Sequence, residues 1–416
     1  MFNKGYKFLL VALIVIALTI AAAGCGEEAA EGDDVIKVGA PIPMTGPYAS
    51  DGEQMQMALE FAIAEQNEKG GLLGRQLILI PGDVGALEAE KIRAVGERLS
   101  GENVDVAITG YANSGVDARV FGEYDMPYLH ADAMTESTEV VASDIEKFGN
   151  VFQFCPSEVS YGYDTAEVLF DIAGELGWEE PNKKVAAIRA DYSYNVFASD
   201  VFLEIAEEKG YEVVLDDIVQ FGIVEWGPIL SRIAETEPAY ITFWILDPAD
   251  AARFITQFVE RFGEDGYDGL VYMQFTPNIP EFLDLAGNSA EGLIWSTSVG
   301  VVGDDAPEYA ERWEAFFGEP PMSTYAYSVR DAFEIWVAAV EEAGCVDCFD
   351  EVIANIRATS YQGMSGLYEF NPVDQQALFG DDKIPTLWYQ VQDGEHVLTG
   401  PAAFKEVGYT VPPWVK

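Results

Sequence analysis

The chain has 416 residues, of which 49% are apolar and 23% are charged. This length predicts two or three folding units, and the composition is that of a globular protein, not of a disordered or fibrous one. Seventy-one acidic and 23 basic side chains leave a formal charge of -48. Because so negative a field repels polyphosphates, the charge argues against a protein that binds nucleic acid.

The first residues have the layout of a secretory signal. Lys4 and Lys7 precede an uncharged apolar run at 8–23, and Cys25 follows at its end. The run is shorter than the roughly 20 residues of a membrane-spanning helix, which favours cleavage before Cys25. The sequence at 22–25 is similar to the lipobox of bacterial lipoproteins, although Ala22 stands where leucine is more common. An uncleaved membrane anchor is the alternative, and both place the globular part outside the cell membrane.

A charged stretch of low hydrophobicity follows, so residues 1–24 are expected to be a signal peptide and 25–34 a flexible tether. Removing the signal takes away Lys4 and Lys7 and no acidic residue, so the mature chain is more negative still. We hypothesise that it works at high salt, where counterions screen its self-repulsion. The alternative is an acidic exported protein with no such adaptation.

Apolar, strand-like runs alternate with helical patterns along the rest of the chain. The predicted strands of the first series are at 35–42, 76–80, 104–109 and 127–130. Those of the second series are at 184–189, 212–221, 240–245 and 270–275. This alternation is typical of a parallel sheet covered by helices, and its restart predicts an α/β protein with two successive sheets.

Ligands of open α/β sheets collect at the carboxyl ends of the strands. The loops that follow the first and third predicted strands, 43–48 and 110–115, are therefore candidate positions for a ligand site. A hydroxyl at Ser114 and the N–H groups at a helix start could receive a carboxylate. Asn113 or Ser114 could equally serve only as a helix cap, so this loop alone does not decide.

Several segments together point to a known family. They are IKVGAPIPMTGPYASDG at 36–52, EQNEKGGLLGRQL at 65–77, VDVAITGYANSGV at 104–116, RADYSY at 189–194 and YSVRDA at 327–332. In order and spacing the chain resembles the type I periplasmic binding proteins of the branched-chain amino acid transporter family. The resemblance extends from about Val35 to Lys416.

The resemblance implies two Rossmann-like α/β lobes with parallel-sheet cores. Three crossovers would join the lobes near 156–158, 296–299 and 363–366. The implied lobes are 35–157 with 298–364, and 158–297 with 365–416.

The implied function is that of an extracytoplasmic substrate-binding protein of an ABC importer. It would capture a small amino-acid-type solute between closing lobes and deliver it to the permease and ATPase subunits. It would be a monomer, tethered to the membrane by lipid at Cys25, without a cofactor. Left open are solutes such as amides, urea-like compounds or small carboxylates, and a tethered sensor without transport.

Site residues carry over from the family where the local match holds. Asn113 and Ser114 are expected to bind the ligand carboxylate. The neighbouring positions that the resemblance adds are Tyr111, Asp132, Ala133 and Thr135.

On the other lobe, Tyr194 stands where the family often presents an aromatic wall. Gln274 stands where amino-acid receptors usually hold an acid for the ligand ammonium, and an amide binds a cation more weakly. Asp247, at the carboxyl end of a predicted strand, is a further candidate. The missing charge could come from one of three other aspartates, Asp51, Asp132 or Asp191.

The cysteines and histidines predict neither a metal site nor an enzyme. Export makes a disulfide between Cys345 and Cys348 plausible, which leaves Cys155 as a lone buried thiol. The chain has only two histidines and four cysteines, too scattered for a Cys/His zinc site. Because nucleophile-elbow and phosphate-loop motifs are also missing from the sequence, we expect no catalysis.

Overall fold

The computed structural model describes residues 35–112 and 115–416. The expected signal, tether and lipidation site at Cys25 lie outside these residues, and so do Asn113 and Ser114. Val35–Lys416 forms a single folding unit. Among the described residues, no helix combines the length and apolar composition needed to cross a bilayer.

A five-stranded sheet comes from the first part of the chain, in the order β2-β1-β3-β4-β5. All of its neighbouring strands pair in parallel. Its strands are β1 (Ile36–Ile42), β2 (Leu77–Asp83), β3 (Val106–Thr109), β4 (Tyr128–His130) and β5 (Val151–Gln153). The last three strands are fully buried, as expected of a parallel sheet with helices on both faces.

The helices that connect these strands are α1 (Ala49–Glu68), α2 (Ala89–Gly101), α3 (Val116–Phe121) and α4 (Thr135–Ser143). Glycines close α1 for a physical reason. Gly71 has a φ of +83°, and a Cβ there would lie 2.0 Å from the carbonyl oxygen of Arg75. Only glycine fits this turn without moving the backbone, which explains the Gly-Gly pair after the helix.

The second sheet has seven strands in the order β14-β13-β10-β9-β8-β6-β7. Strands β6 to β10 pair in parallel, whereas β13 and β14 add an antiparallel edge. The remaining strands of the chain, including the separate hairpin β11–β12, are β6 (Lys184–Ala190), β7 (Glu212–Val219), β8 (Tyr240–Trp244), β9 (Leu270–Gln274), β10 (Ile294–Thr297), β11 (Tyr361–Gly363), β12 (Gly366–Tyr368), β13 (Leu387–Gln392) and β14 (Glu395–Gly400).

Helices again fill the connections. They are α5 (Glu158–Val168), α6 (Ile172–Leu176), α7 (Ser193–Glu208), α8 (Gly227–Thr236), α9 (Pro248–Phe262), α10 (Glu281–Ala286), α11 (Ala306–Phe317), α12 (Tyr325–Ala343) and α13 (Phe349–Arg357). Helices α11 and α12 return to the first sheet, where α12 packs on α1. The ring of Phe61 in α1 contacts Tyr309 and Trp313 of α11.

The chain also returns to the edge of the first sheet after β12. Ala377 N–H donates to the Gln153 carbonyl at 2.7 Å, and Gln153 N–H donates to the Gln375 carbonyl at 3.1 Å. The segment 375–377 therefore lies along β5, and the chain enters the second sheet only at Leu387. The expected crossover at 363–366 precedes this contact, and the division into lobes stays a prediction.

The cysteine pair lies in the turn between α12 and α13. Cys345 and Cys348 form a disulfide with their Cα atoms 5.7 Å apart. Cys155 is a buried free thiol next to β5.

Candidate ligand-binding cleft

A cavity of about 60 Å³ lies where the carboxyl ends of the two sheets meet. This volume is the space open to the centres of water-sized spheres, of which one water needs about 10–15 Å³. The cavity therefore suits several waters or a small solute. Its walls come from loops that follow strands of both sheets, which is where open α/β sheets bind ligands. The lining side chains are Tyr48, Leu87, Tyr111, Asp132, Ala133, Met134, Tyr161, Tyr192, Tyr194, Leu246, Phe275, Val299 and Tyr325.

Four of the candidate residues lie in this lining: Tyr111, Asp132, Ala133 and Tyr194. The sequence pattern did not mark most of the aromatic wall, which includes Tyr48, Tyr161, Tyr192, Phe275 and Tyr325. Phe275 follows β9 directly, so the strand-end rule could have found it. Tyr161 and Tyr325 belong to helices, where an aromatic residue reads as ordinary core.

The rings of this wall pack edge to face. Tyr111 stands between Tyr48, with ring centroids 5.9 Å apart, and Tyr325, 5.2 Å away. The ring centroids of Phe275 and Tyr325 are 6.1 Å apart. A residue that follows β9 of the second sheet therefore contacts a residue of α12, which packs on the first sheet. Such contacts give rigid apolar walls, while tyrosine hydroxyls supply the polar groups that orient a ligand.

Three wall residues adopt left-handed backbone conformations that L-residues rarely use. The φ angles are +64° at Leu87, +54° at Ala133 and +56° at Phe275. Each such conformation costs about 1–3 kcal/mol and persists only where its surroundings fix it. Strain of this kind concentrates at ligand sites, and here it falls on the loops that form the cavity.

Gln274 lies behind the wall. It is fully buried, and its Nε2 donates to the Tyr194 hydroxyl at 2.8 Å. Its Oε1 is buried without a hydrogen-bond partner among the described residues. The glutamine therefore supports the Tyr194 ring from behind.

Asp51 also supports the wall. It is fully buried and accepts hydrogen bonds from the Ser323 hydroxyl at 2.7 Å and the Tyr111 hydroxyl at 2.9 Å. Burial raises the pKa of Asp51 to about 7, against the opposing effect of these two hydrogen bonds. The carboxyl group therefore fixes the position of Tyr111.

Asp132 of the lining and a further candidate, Thr135, contact other buried side chains. The Asp132 side chain is 2% exposed and lies 3.2 Å from His130 Nδ1. The N–H and hydroxyl of Thr135 donate to the carboxylate of Glu158 at 2.6 and 2.9 Å. Burial raises the pKa of Glu158 to about 7, although both of these hydrogen bonds lower it.

Asp247 adjoins the cavity from the second-sheet side. It follows Leu246 of the lining and caps α9, since its Oδ1 accepts the N–H groups of Ala249 and Asp250 at 2.9 Å each. Burial raises the pKa of the lining residue Tyr48, and the nearby Asp247 charge raises it further. Asp191, by contrast, is exposed and accepts a hydrogen bond from Gln220.

The comparison with known proteins identifies the family. A family model described as periplasmic binding protein matches residues 35–380. The chain belongs to the periplasmic binding protein family. A Leu/Ile/Val-binding protein homolog from Brucella abortus is 32% identical over 331 residues, which are 75% of this chain and 78% of the relative. A Leu/Ile/Val-binding protein from Rhizobium johnstonii is 23% identical over 329 residues, which are 77% of this chain and 83% of the relative.

Solved structures of this family confirm the α/β fold with parallel-sheet cores. A protein from Silicibacter pomeroyi described as a branched-chain amino acid ABC transporter superposes with a TM-score of 0.82 at 27% identity. The match covers 92% of this chain and 100% of the Silicibacter chain. The substrate-binding protein of a Streptococcus pneumoniae branched-chain amino acid transporter, solved with isoleucine bound, superposes with a TM-score of 0.71 at 17% identity. The match covers 88% of this chain and 100% of the Streptococcus chain. The periplasmic binding protein family is extracytoplasmic, and it is a family of substrate-binding proteins and not of enzymes.

Proposed function

We propose that this chain is the solute-binding protein of an ABC importer and that it closes on an amino-acid-type solute. The cavity between the carboxyl ends of the two sheets carries this proposal, because rings from both sides wall it. The names of the relatives, which are Leu/Ile/Val-binding proteins, support an aliphatic amino acid.

The solute carboxylate is assigned to the loop before α3. Asn113 and Ser114 keep this role as a proposal, since they lie outside the described residues. The described ends of the loop are held in place: Ala112 N–H donates to Asp132 at 2.8 Å, and Gly115 N–H donates to the Ser137 hydroxyl at 3.1 Å. N–H groups and a hydroxyl at a helix start are suited to an anion.

The solute ammonium is assigned to Asp247. Gln274 carries no charge, and Asp51 and Asp132 are buried against other partners. Only Oδ1 of Asp247 accepts the hydrogen bonds of the helix cap, and Asp247 directly follows the cavity residue Leu246. Its second carboxylate oxygen is the acceptor proposed for the ammonium.

Binding and closure are proposed to be one equilibrium. A solute that touches loops of both sheets favours the closed arrangement by the contacts that only this arrangement provides. One such contact joins the Ser50 hydroxyl at the start of α1 to the Glu281 carboxylate of α10. The closed protein is then presented to the permease, with acylated Cys25 as its proposed tether.

Thermal shifts of the mature chain against amino acids, amides, urea and small carboxylates test the proposal. A solute at about 100 times its Kd adds roughly 2.7 kcal/mol, which raises Tm by a few degrees. We expect aliphatic amino acids to give the shift and Tyr194→Ala to abolish it. The matched control is Tyr163→Ala, which removes an exposed ring on α5. Shifts only with amides or carboxylates would contradict the amino-acid assignment.

A further inference from the structure

Three side chains meet next to the loop 110–115, and one of them, Asp132, also lines the cavity. Asp117, at the start of α3, and His130 and Asp132, at the end of β4, offer donor atoms within 4.8 Å of one another. Asp117 and His130 are fully buried, and the Asp132 side chain is 2% exposed. Two carboxylates and an imidazole so close together in the core need a compensating charge.

The two carboxylates are oriented in the same way. Asp117 Oδ2 accepts the Tyr128 hydroxyl at 2.7 Å, and Asp132 Oδ1 accepts the Ala112 N–H at 2.8 Å. Each carboxylate thus has one oxygen held by a neighbour from outside the cluster. Outer hydrogen bonds of this kind orient the ligands of metal sites.

The other polar atoms of the three side chains do not satisfy one another's hydrogen-bonding needs. Asp117 Oδ1 and His130 Nε2 are buried and have no hydrogen-bond partner among the described residues. If His130 Nδ1 donates to Asp132 Oδ2, 3.2 Å away, then Nε2 is an acceptor without a donor. If the hydrogen is on Nε2, that donor has no acceptor. Either tautomer leaves a buried polar atom unsatisfied, which is costly.

We propose that Asp117, His130 and Asp132 form a buried site for a divalent transition-metal ion, with Zn²⁺ as the ion that fits this donor set. Zn²⁺ takes imidazole nitrogen and carboxylate oxygen at about 2.0–2.2 Å. Its two positive charges balance the two carboxylates, so the occupied cluster is neutral. Ligand atoms around a tetrahedral ion are roughly 3.4 Å apart, and the donor atoms of the cluster lie within 4.8 Å of one another, so an ion would draw them together.

The site would act on the ligand loop through Asp132. This residue holds the Ala112 N–H, directly before Asn113 and Ser114. An ion that fixes Asp132 therefore fixes one end of the loop. Metal binding itself does not depend on the proposed function, since the site lies beneath the loop and its ligands do not need the solute.

Metal content after refolding tests the proposal. Because the ligands are buried, the purified chain is unfolded in guanidinium, refolded with Zn²⁺ and desalted before elemental analysis. The compared proteins are wild type, His130→Asn, Asp117→Asn and the control His396→Asn, which removes the second histidine of the chain. Circular dichroism checks refolding, and the isosteric Asp117→Asn decides the outcome if His130→Asn does not fold.

We expect about one Zn²⁺ per chain in wild type and His396→Asn, and at least tenfold less in both cluster variants. Wild type without bound zinc, or equal zinc in the folded cluster variants, would overturn the proposal. In that case the two carboxylates share a proton and the cluster is structural only.

Discussion

The side-chain amide of Gln274 donates a hydrogen bond to the Tyr194 hydroxyl at 2.8 Å and so joins the end of β9 to the first turn of α7. Both side chains are buried, and Tyr194 faces the cavity. At the position where amino-acid receptors usually carry an acid, this chain therefore has a support for an aromatic wall. Two substitutions separate the support from the wall.

Tyr194→Phe is expected to destabilise the protein more than Gln274→Leu. The phenylalanine variant leaves both ends of the Gln274 amide buried and unpaired, which costs about 1–3 kcal/mol. The leucine variant removes the buried amide and keeps a side chain of similar size. It leaves the hydroxyl of the cavity-lining Tyr194 without its donor, but water in the cavity can replace that partner, so the cost is about 1 kcal/mol or less. Guanidinium unfolding of the two variants measures the difference, and a larger loss in Gln274→Leu would contradict the assigned role.

The contribution of Asp51 to stability is expected to fall as the pH rises from about 5 to 8. Burial holds the pKa of Asp51 at about 7, above the value of roughly 4 in an unfolded chain. The folded protein keeps a proton there that the unfolded chain releases. The stabilisation is therefore complete below about pH 4 and is lost as the pH rises through 7. Glu158 and Asp331, with pKa values raised by burial to about 7, act in the same direction.

The Asp51→Asn variant tests the contribution of this one group. Its Tm is expected to decline less steeply between pH 5 and 8 than that of wild type. The exposed Asp284→Asn, on α10, is the control and is expected to follow wild type. Parallel Tm profiles for Asp51→Asn and wild type would show that Asp51 titrates alike in the folded and unfolded chains.

Much of the fold could be predicted from the sequence because apolar periodicity reports burial directly. Strands β6, β8 and β9 fall where the pattern placed them. The return of segment 375–377 to β5 could not be read, because that pairing depends on tertiary contact and not on local pattern.

The site was harder to predict, because a strand-end rule gives a residue's position and not its side-chain direction. Asp132 and Gln274 both follow or end buried strands, as expected. The structure turns Asp132 toward His130 and places Gln274 behind Tyr194. Tyr161 and Tyr325 reach the cavity from helices, so no pattern at the strand ends marks them.

The disulfide is expected to contribute modestly to stability. A loop this short yields about 2 kcal/mol by loop-closure entropy, so replacing Cys345 and Cys348 by serine lowers Tm by only a few degrees. Thiol titration of the unfolded chain without residues 1–25 is expected to find one free thiol, that of Cys155. Three free thiols would mean that the bridge does not form in the isolated protein.

Added salt is expected to raise Tm. With a formal charge of -48, the excess acidic side chains repel one another in the folded protein. Salt weakens this repulsion, because the screening length falls from about 8 Å at 0.15 M to about 3 Å at 1 M. Thermal unfolding from 0.1 to 2 M KCl measures this effect. A Tm that does not rise over this range would remove the basis for a high-salt habitat.

Titration calorimetry with leucine and with its deaminated analogue 4-methylpentanoate tests the central assignment most directly. The variants are Asp247→Asn, in which asparagine keeps the cap of α9 but removes the charge, and the exposed control Asp191→Asn. We expect wild type and Asp191→Asn to bind leucine at least tenfold more tightly than the analogue, and Asp247→Asn to lose that preference. Equal binding of the two compounds by wild type, or a preference that survives in Asp247→Asn, would contradict an amino-acid site with Asp247 as the ammonium ligand.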